Sequence, residues 1–439
     1  MLNKFRLLKE HLGFRRYAKN IGWMFFSNVF RMLITLFVGI WLVRYLGPTQ
    51  FGLLSYAQSI AMIIIAIAGL GFEAVVVKAL VDDRFPSDEI LTTALFLKLI
   101  AAFVIVIVLS VVLIINNLEV ETNLLIFIIS FSSFFVSFNI LDCYFQAKVL
   151  SKFTVFSNLI AFSLVGIFKI ILILNNANVL AFAIANLLEF ILIAVFLIYF
   201  YEKTTASKLL TWRFNAKIAK YLITTSWPLT ISVSFAVILD KIDQVMIKNM
   251  LGVEAVGHYV AASRLSEVWY FIGLAIVSSL FPAILNAHNQ DHGRYHRRMQ
   301  RLFDLLIVLS VALAIPVSIF SEQIIALIYG KAYEDSAIVL AIHIWTALFV
   351  FLKAASGNWL VINHLQIFSL YRNIAAVVIN VSLNYALIPI YGIAGSAISM
   401  LITLFIVMYL LNAAIPATRP CFMFQTKALF LRFLFRKEL

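Results

Sequence analysis

The chain has 439 residues, of which 63% are hydrophobic and only 13% charged, and its mean hydropathy is +1.00. A soluble domain averages roughly 45–50% apolar and about 25% charged residues, so this composition excludes water as the solvent for most of the surface. With so little polar surface, the formal net charge of +13 points to anionic lipid headgroups and argues against nucleic acid as a partner.

A bilayer core of ~30 Å takes ~20 helical residues to cross. The polar punctuation predicts about twelve crossings, at 21–43, 53–79, 91–115, 123–145, 153–174, 179–200, 221–250, 257–284, 302–320, 336–359, 366–388 and 395–416. Ahead of them, a basic segment over 1–20 places Met1, Phe5, Leu8 and Leu12 on one face of an amphipathic surface helix. No small-residue cleavage pattern follows it, so no cleaved signal peptide is expected. The first span carries Asn28, Arg31, Thr35 and Gly39 at helical spacing, with Arg31 ~15 Å from the inner end. A cation at that depth needs a carboxylate partner or a hydrated cavity. Glu73 in the second span and Glu189 in the sixth are the candidate partners.

Cys143 and Cys421 are too few and too far apart to suggest a disulfide framework, and both are expected as reduced thiols. The polar stretch 201–220 divides the chain into an N-terminal lobe (21–200) and a C-terminal lobe (221–416), followed by a basic tail (417–439). The seventh span holds Asp240, Lys241, Asp243, Gln244 and Lys248 within an arc of ~160°. Two carboxylates one helical turn apart beside an ammonium suit the uptake and release of a proton or the holding of Na⁺. The structural alternative is a charge-neutralised helix contact joined by Arg264 or Glu267 of the eighth span. His288, His292 and His296 follow at i, i+4, i+8, without the glutamate of a metalloprotease pattern and among arginines. Lys98, Lys353 and Arg372 lie in the inner halves of their spans. They either snorkel to the headgroups or surround an inward-facing vestibule for phosphate oxygens. Asn373, Asn380 and Asn384 share a face of the eleventh span and can bond a sugar or a neighbouring helix. Gly330 and Lys331 do not make a nucleotide-binding loop, because Ile325 stands where its first glycine should be and Ala332 where Ser or Thr should follow. ATP is therefore not expected as the direct fuel.

Most of the 34 Lys and Arg fall in alternate gaps, whereas the opposite loops (45–52, 116–122, 175–178, 251–256, 321–335, 389–394) hold Lys331 alone. By the positive-inside rule both termini are expected to be cytoplasmic.

The halves share a corner motif. Leu46-Gly47-Pro48-Thr49-Gln50-Phe51-Gly52 and Leu251-Gly252-Val253-Glu254-Ala255-Val256-Gly257 both read L-G-x4-G. They keep one offset throughout, which also pairs Ala57 with Ala262, and Arg44 and Lys248 stand just ahead of the two copies. Six spans per half give the repeats the same orientation, which implies an axis along the membrane normal and a central cavity between the bundles. These corners, together with DKIDQVMIKNMLGVEAVGHYVAASRL (240–265), LIYGKAY (327–333) and IPIYGIAGSAIS (388–399), resemble the polysaccharide-transport branch of the multidrug/oligosaccharidyl-lipid/polysaccharide exporter superfamily, and within it the Wzx-type O-antigen flippases.

The resemblance implies an all-α polytopic membrane protein with about twelve transmembrane helices in two six-helix bundles related by pseudo-two-fold symmetry, as in multidrug exporters of that superfamily. It implies a cargo of undecaprenyl-pyrophosphate-linked O-antigen or related repeat units, flipped across the bacterial inner membrane by ion-coupled alternating access. H⁺ or Na⁺ would be the coupling ion, with no other cofactor or metal, and a polysaccharide polymerase and a chain-length regulator would be neighbours. A cationic lumen for the pyrophosphate would draw on Arg31, Asn28, Lys98, Lys241, Arg264, Lys353 and Arg372, and ion coupling on Asp240, Asp243, Glu73 and Glu189. Two other classes remain. A multidrug or organic-cation antiporter favours an acidic, aromatic site, which the net basic set of intramembrane charges disfavours. A membrane polymerase or ligase needs a large outer loop for its acceptor, and the longest here, 321–335, leaves little room; an enzyme is not expected.

Overall fold

The structure is a computed structural model and describes residues 12–116, 119–205 and 213–430. Most of the basic N-terminal segment expected as a surface helix, part of the polar linker and the end of the basic tail lie outside the described residues. The rest is almost wholly helical: α1 (Leu12–Ala68), α2 (Phe72–Val81), α3 (Ser87–Asn116), α4 (Val120–Val136), α5 (Ile140–Ala147), α6 (Lys152–Leu174), α7 (Val179–Thr205), α8 (Ala216–Leu251), α9 (Val253–Glu267), α10 (Tyr270–Gln290), α11 (His292–Ile319), α12 (Ser321–Ile328), α13 (Ser336–His343), α14 (Thr346–Ile362), α15 (Ile367–Phe405), α16 (Leu411–Ala414) and α17 (Arg419–Leu429). The solvent dictates this choice, because hydrocarbon offers no partner to a backbone N–H or C=O and each crossing must satisfy them within itself.

Among the described residues, ten helical stretches are long and apolar enough to cross a membrane. Two of them, Val29–Val81 and Ile367–Ala414, are each about twice the length of one crossing and are broken by the non-helical backbone of Gly47 and Gly392. Each therefore supplies two crossings, which gives the twelve segments that hydropathy predicts.

The corner glycines act as the sequence suggests. Gly47 (φ 67°, ψ 174°) and Gly252 (φ 97°, ψ −179°) occupy matching conformations, in a region open essentially to glycine alone. Four helical residues later the second glycine of each motif meets the other copy. A Cβ on Gly52 would overlap the carbonyl of Val253, and one on Gly257 would overlap the carbonyl of Pro48. Positions 48 and 253 correspond under the repeat, as do 52 and 257, so the contact is reciprocal.

The chain divides into two compact units. One comprises the described residues up to 45 with 57–237; the other comprises 46–56 with the described residues from 238 onward. The first is built on Phe72, Val76, Ile90, Leu95, Phe145, Phe162 and Leu222. Its linker end is tied down: Asn215 Nδ2 donates to Glu89 Oε2 at 2.8 Å, and Thr92 Oγ1 donates to the Arg213 carbonyl at 3.1 Å. The second is built on Met299, Phe303, Leu306, Phe351, Leu352, Trp359 and Val407. The expected basic tail is more ordered than its charge suggests. α17 buries Cys421, Phe424, Gln425 and Ala428, which follow one another at i, i+3, i+4 and i+7 and so share one helical face.

Replacing Gly52 or Gly257 by Val should lower the thermal midpoint of the purified protein, because overpacking against backbone costs about 1–3 kcal/mol. Gly39→Val is the control, since nothing lies within 4 Å of its Cβ position. Equal midpoints for all three variants in a detergent melt would show that the corner contact is not tight.

Candidate functional site

The best-defined polar centre of the second unit forms around Asp243 on α8, which is buried. Tyr259 Oη of α9 donates to Asp243 Oδ2 at 2.6 Å, and Asn384 Nδ2 of α15 donates to Asp243 Oδ1 at 2.6 Å and to Asn380 Oδ1 at 3.0 Å. The asparagines expected to touch sugar or a helix are thus partners of the carboxylate. One turn of α15 stacks their amides, so that the Asn384 amide nitrogen bridges the carboxylate and the Asn380 amide oxygen. Asn384 Oδ1 and the neighbouring Ser396 Oγ are buried without a hydrogen-bond partner. An ionised carboxylate with amide and hydroxyl oxygens suits a small hard cation, and the same carboxyl suits a proton. Tyr259 had escaped notice because its partner lies on a different helix, 16 positions away.

Asp240 is placed differently from Asp243, although the two are one turn apart. It is solvent-exposed, and its electrostatic neighbours are Lys353 of α14 and Lys241. Lys241 is also a neighbour of Glu267, as is Arg264. Arg264 further lies over the Phe51 ring at 4.9 Å. The two carboxylates that seemed to form one titrating pair therefore serve two environments: one dry and hydrogen-bonded, the other wet and salted. Lys353 is half-buried within this charged group, and its nearest partner is an acid of the same unit.

Arg372 sits apart from these charges. It is 4% exposed, donates to Ser356 Oγ at 3.2 Å and bonds Asn412 Oδ1. Asn412 in turn donates to Gln425 Oε1 of α17 at 3.0 Å. In this arrangement its guanidinium ties α15 to the C-terminal helix and does not open on a vestibule. Burial pushes the nearby Cys421 thiol up to about 12, which leaves it protonated at neutral pH and unreactive.

In the first unit, Lys98 does not snorkel. Its ammonium is 2% exposed and donates to Glu73 Oε1 at 2.7 Å, while Glu73 remains half-exposed. Glu189 pairs with Lys169 at 3.5 Å. Both acids considered as partners of Arg31 are thus engaged elsewhere. Arg31 is exposed and lies over the Phe162 ring at 4.8 Å, a contact worth about 0.5–1 kcal/mol at an exposed site. The side chain of Asn28 lies outside the described residues. Asp142, absent from the sequence expectations, accepts from Gln146 Nε2 at 2.8 Å and from the Thr154 hydroxyl.

The histidine ladder is broken. Asp291 caps α10's end and α11's start, accepting from the Gly293 and Arg294 amides at 2.8 and 3.1 Å. Those amides hold its carboxyl below the ordinary value, helped by Arg297 and Arg294. His288 consequently belongs to a different helix from His292 and His296. The three rings contact one another and Tyr295 edge-on or tilted, as ordinary aromatic neighbours.

Apolar crossings with charged side chains set inside them define a polytopic membrane protein. Residues 17–288 match the polysaccharide biosynthesis protein family, to which the chain therefore belongs, and residues 228–386 match the MatE family. Among curated proteins it is similar to the capsular polysaccharide biosynthesis protein CapF of Staphylococcus aureus, 20% identical over 89% of this chain and 96% of that one. Among solved structures it is similar to the lipid II flippase MurJ in an inward closed conformation (TM-score 0.73, 15% identity, 93% of this chain and 91% of that one). It is also similar to a multidrug resistance MATE family transporter of the MOP superfamily in an inward-facing conformation (TM-score 0.72, 15% identity, 92% and 95%).

Glu73→Gln should destabilise the protein by an amount between the ~1 kcal/mol of an exposed ion pair and the ~3–5 kcal/mol of a broken buried one, because it strands a buried ammonium. Adding Lys98→Met should recover much of the loss. A double mutant no more stable than Glu73→Gln would mean the pair is not the source of the effect; thermal midpoints in one detergent decide it.

Proposed function

We propose that this protein moves lipid-pyrophosphate-linked glycan repeat units, such as undecaprenyl-pyrophosphate-linked O-antigen units, from the cytoplasmic to the outer leaflet of the bacterial inner membrane. The observation that carries the reading is the excess of cations in the mid-span charge cluster of the second unit: half-buried Lys241, Arg264 and Lys353 against exposed Asp240 and Glu267. An anionic pyrophosphate is the natural counter-ion of such a set. Family membership supports the same reading. The lipid tail stays in hydrocarbon while the glycan crosses in water, which avoids dehydrating many hydroxyls at several kcal/mol each.

Movement is driven by an ion gradient in this proposal. Asp243, with its Asn380, Asn384 and Tyr259 neighbours, takes up H⁺ or Na⁺ on one side and releases it on the other. Arg31 in the first unit meets the same cargo. The protein works as a carrier and not as an enzyme, with both termini cytoplasmic, and a polysaccharide polymerase and a chain-length regulator handle the units it delivers. The MatE match supports a second reading, a multidrug or organic-cation antiporter using the same carboxylate. Cargo charge separates the two.

The deciding experiment is delivery of lipid-linked glycan to the outer leaflet by cells lacking their own flippase, normalised to the amount of protein in the membrane. Wild type should restore delivery, Arg31→Lys should keep part of it, and Arg31→Ala should lose most. A charge-assisted contact is worth ~1.5–3 kcal/mol, or roughly ten- to a hundred-fold in affinity. Resistance to cationic drugs without glycan delivery would favour the antiporter instead.

In proteoliposomes, Asp243→Asn should abolish the dependence of transport on an imposed H⁺ or Na⁺ gradient while glycan-lipid binding remains measurable. Unchanged gradient dependence would return Asp243 to a structural role. A reporter active only in the cytoplasm should be active when fused after Lys217 or Arg298 and silent after Lys331. The reverse pattern would invert the orientation.

A further inference from the structure

Five mid-span charges of the second unit form one cluster, in which Asp240 and Glu267 are exposed and Lys241, Arg264 and Lys353 half-buried. Lys353 and Lys241 are electrostatic neighbours of Asp240, and Lys241, Asp240 and Arg264 are electrostatic neighbours of Glu267. Three helices contribute: α8 gives Asp240 and Lys241, α9 gives Arg264 and Glu267 one turn apart, and α14 gives Lys353. Asp240 lies ~16 Å along α8 from its Leu251 end and Glu267 ~21 Å along α9 from its start, at 1.5 Å per residue, so both sit deep within their crossings. Both are nevertheless exposed to solvent. Among the described residues no direct ion pair joins Asp240 to either lysine. A purely structural neutralisation would close such pairs, as Lys98 and Glu73 do at 2.7 Å.

We propose that Asp240 and Glu267 are built-in counter-anions of the cargo site, holding Lys241, Arg264 and Lys353 neutralised when the site is empty and competing with the cargo's pyrophosphate for them when it is filled. The proposal rests on the reading of the cargo as a lipid pyrophosphate and adds how that cargo is let go. Three bare cations in a low-dielectric setting would bind a dianion tightly and release it slowly. Two resident carboxylates cap that affinity and restore anionic partners to the cations as the pyrophosphate leaves. They also select the cargo: a monoanionic or neutral lipid gains too little to displace them, whereas a pyrophosphate, with charge spread over two centres, can engage cations on either side of a carboxylate.

The test measures binding of undecaprenyl pyrophosphate to the full-length protein in detergent, alongside glycan-lipid translocation per molecule in proteoliposomes. Glu267→Gln and, separately, Asp240→Asn should each bind roughly three- to tenfold more tightly than wild type, the range expected for losing one partly solvated competing charge. Both should translocate more slowly, and Glu267→Asp should behave as wild type in both assays. A merely structural role lowers binding and turnover together and cannot yield tighter binding. If wild type binds the lipid and neither carboxamide variant binds it more tightly, the counter-anion role is overturned. If wild type itself does not bind undecaprenyl pyrophosphate, the reading of the cargo falls, and this inference falls with it.

Discussion

A charge in hydrocarbon must find an opposite charge, a set of hydrogen bonds or water, because its desolvation costs more than a folded chain has to spare. Each solution occurs here, and each implies a different use. Lys98 is met by Glu73 in a direct contact, which fixes α2 to α3. Arg372 is met by the neutral oxygens of Ser356 and Asn412, so it keeps its charge while binding the C-terminal helix through Gln425. Asp243 is met by Tyr259 and Asn384. Asp240 and Glu267 are exposed and, among the described residues, closed into no direct ion pair, and an open partner is what a group must have to exchange partners during a transport cycle.

The fold was legible because the signals that set it are local. Continuous apolar runs give the crossings, and the L-G-x4-G corners mark the two places where a glycine turns the chain and a second glycine lets another backbone approach. The alternation of positive loops is equally local, and it carries the expectation that both termini are cytoplasmic. The docking of α17 was also written in sequence, in the spacing of Cys421, Phe424, Gln425 and Ala428, but its basic flanks masked that apolar face and it passed for a tail.

The polar sites were less legible, because their partners come from distant helices. Nothing near Glu73 in sequence indicates Lys98, and Glu189 gives no hint of Lys169. Asp240 and Asp243 looked like a couple because helical periodicity reports angle and says little about depth. A net separation of roughly 60° around α8, three residues at about 100° each, is enough to put one carboxylate among amides and the other on an exposed face. The histidine ladder failed for a related reason. Spacing assumes an unbroken helix, and the Asp291 cap divides it between His288 and His292.

This separation of environments bears on how one unit could serve both ion and cargo. A group that carries a driving ion must bind it selectively, which calls for a dry site with fixed oxygen donors; a group that receives a pyrophosphate must tolerate a bulky, hydrated ligand. One residue cannot satisfy both demands well. α8 places Asp243 on the dry side and Asp240 with Lys241 on the wet side, within four consecutive residues of one rigid element. In the proposed cycle, an ion at Asp243 and a cargo at Lys241 act on the same helix without competing for the same atoms. Coupling through a shared helix requires that the two ligands favour different positions of it, and opposed charge supplies that difference: neutralising Asp243 removes a negative charge that otherwise opposes an anion bound a turn away.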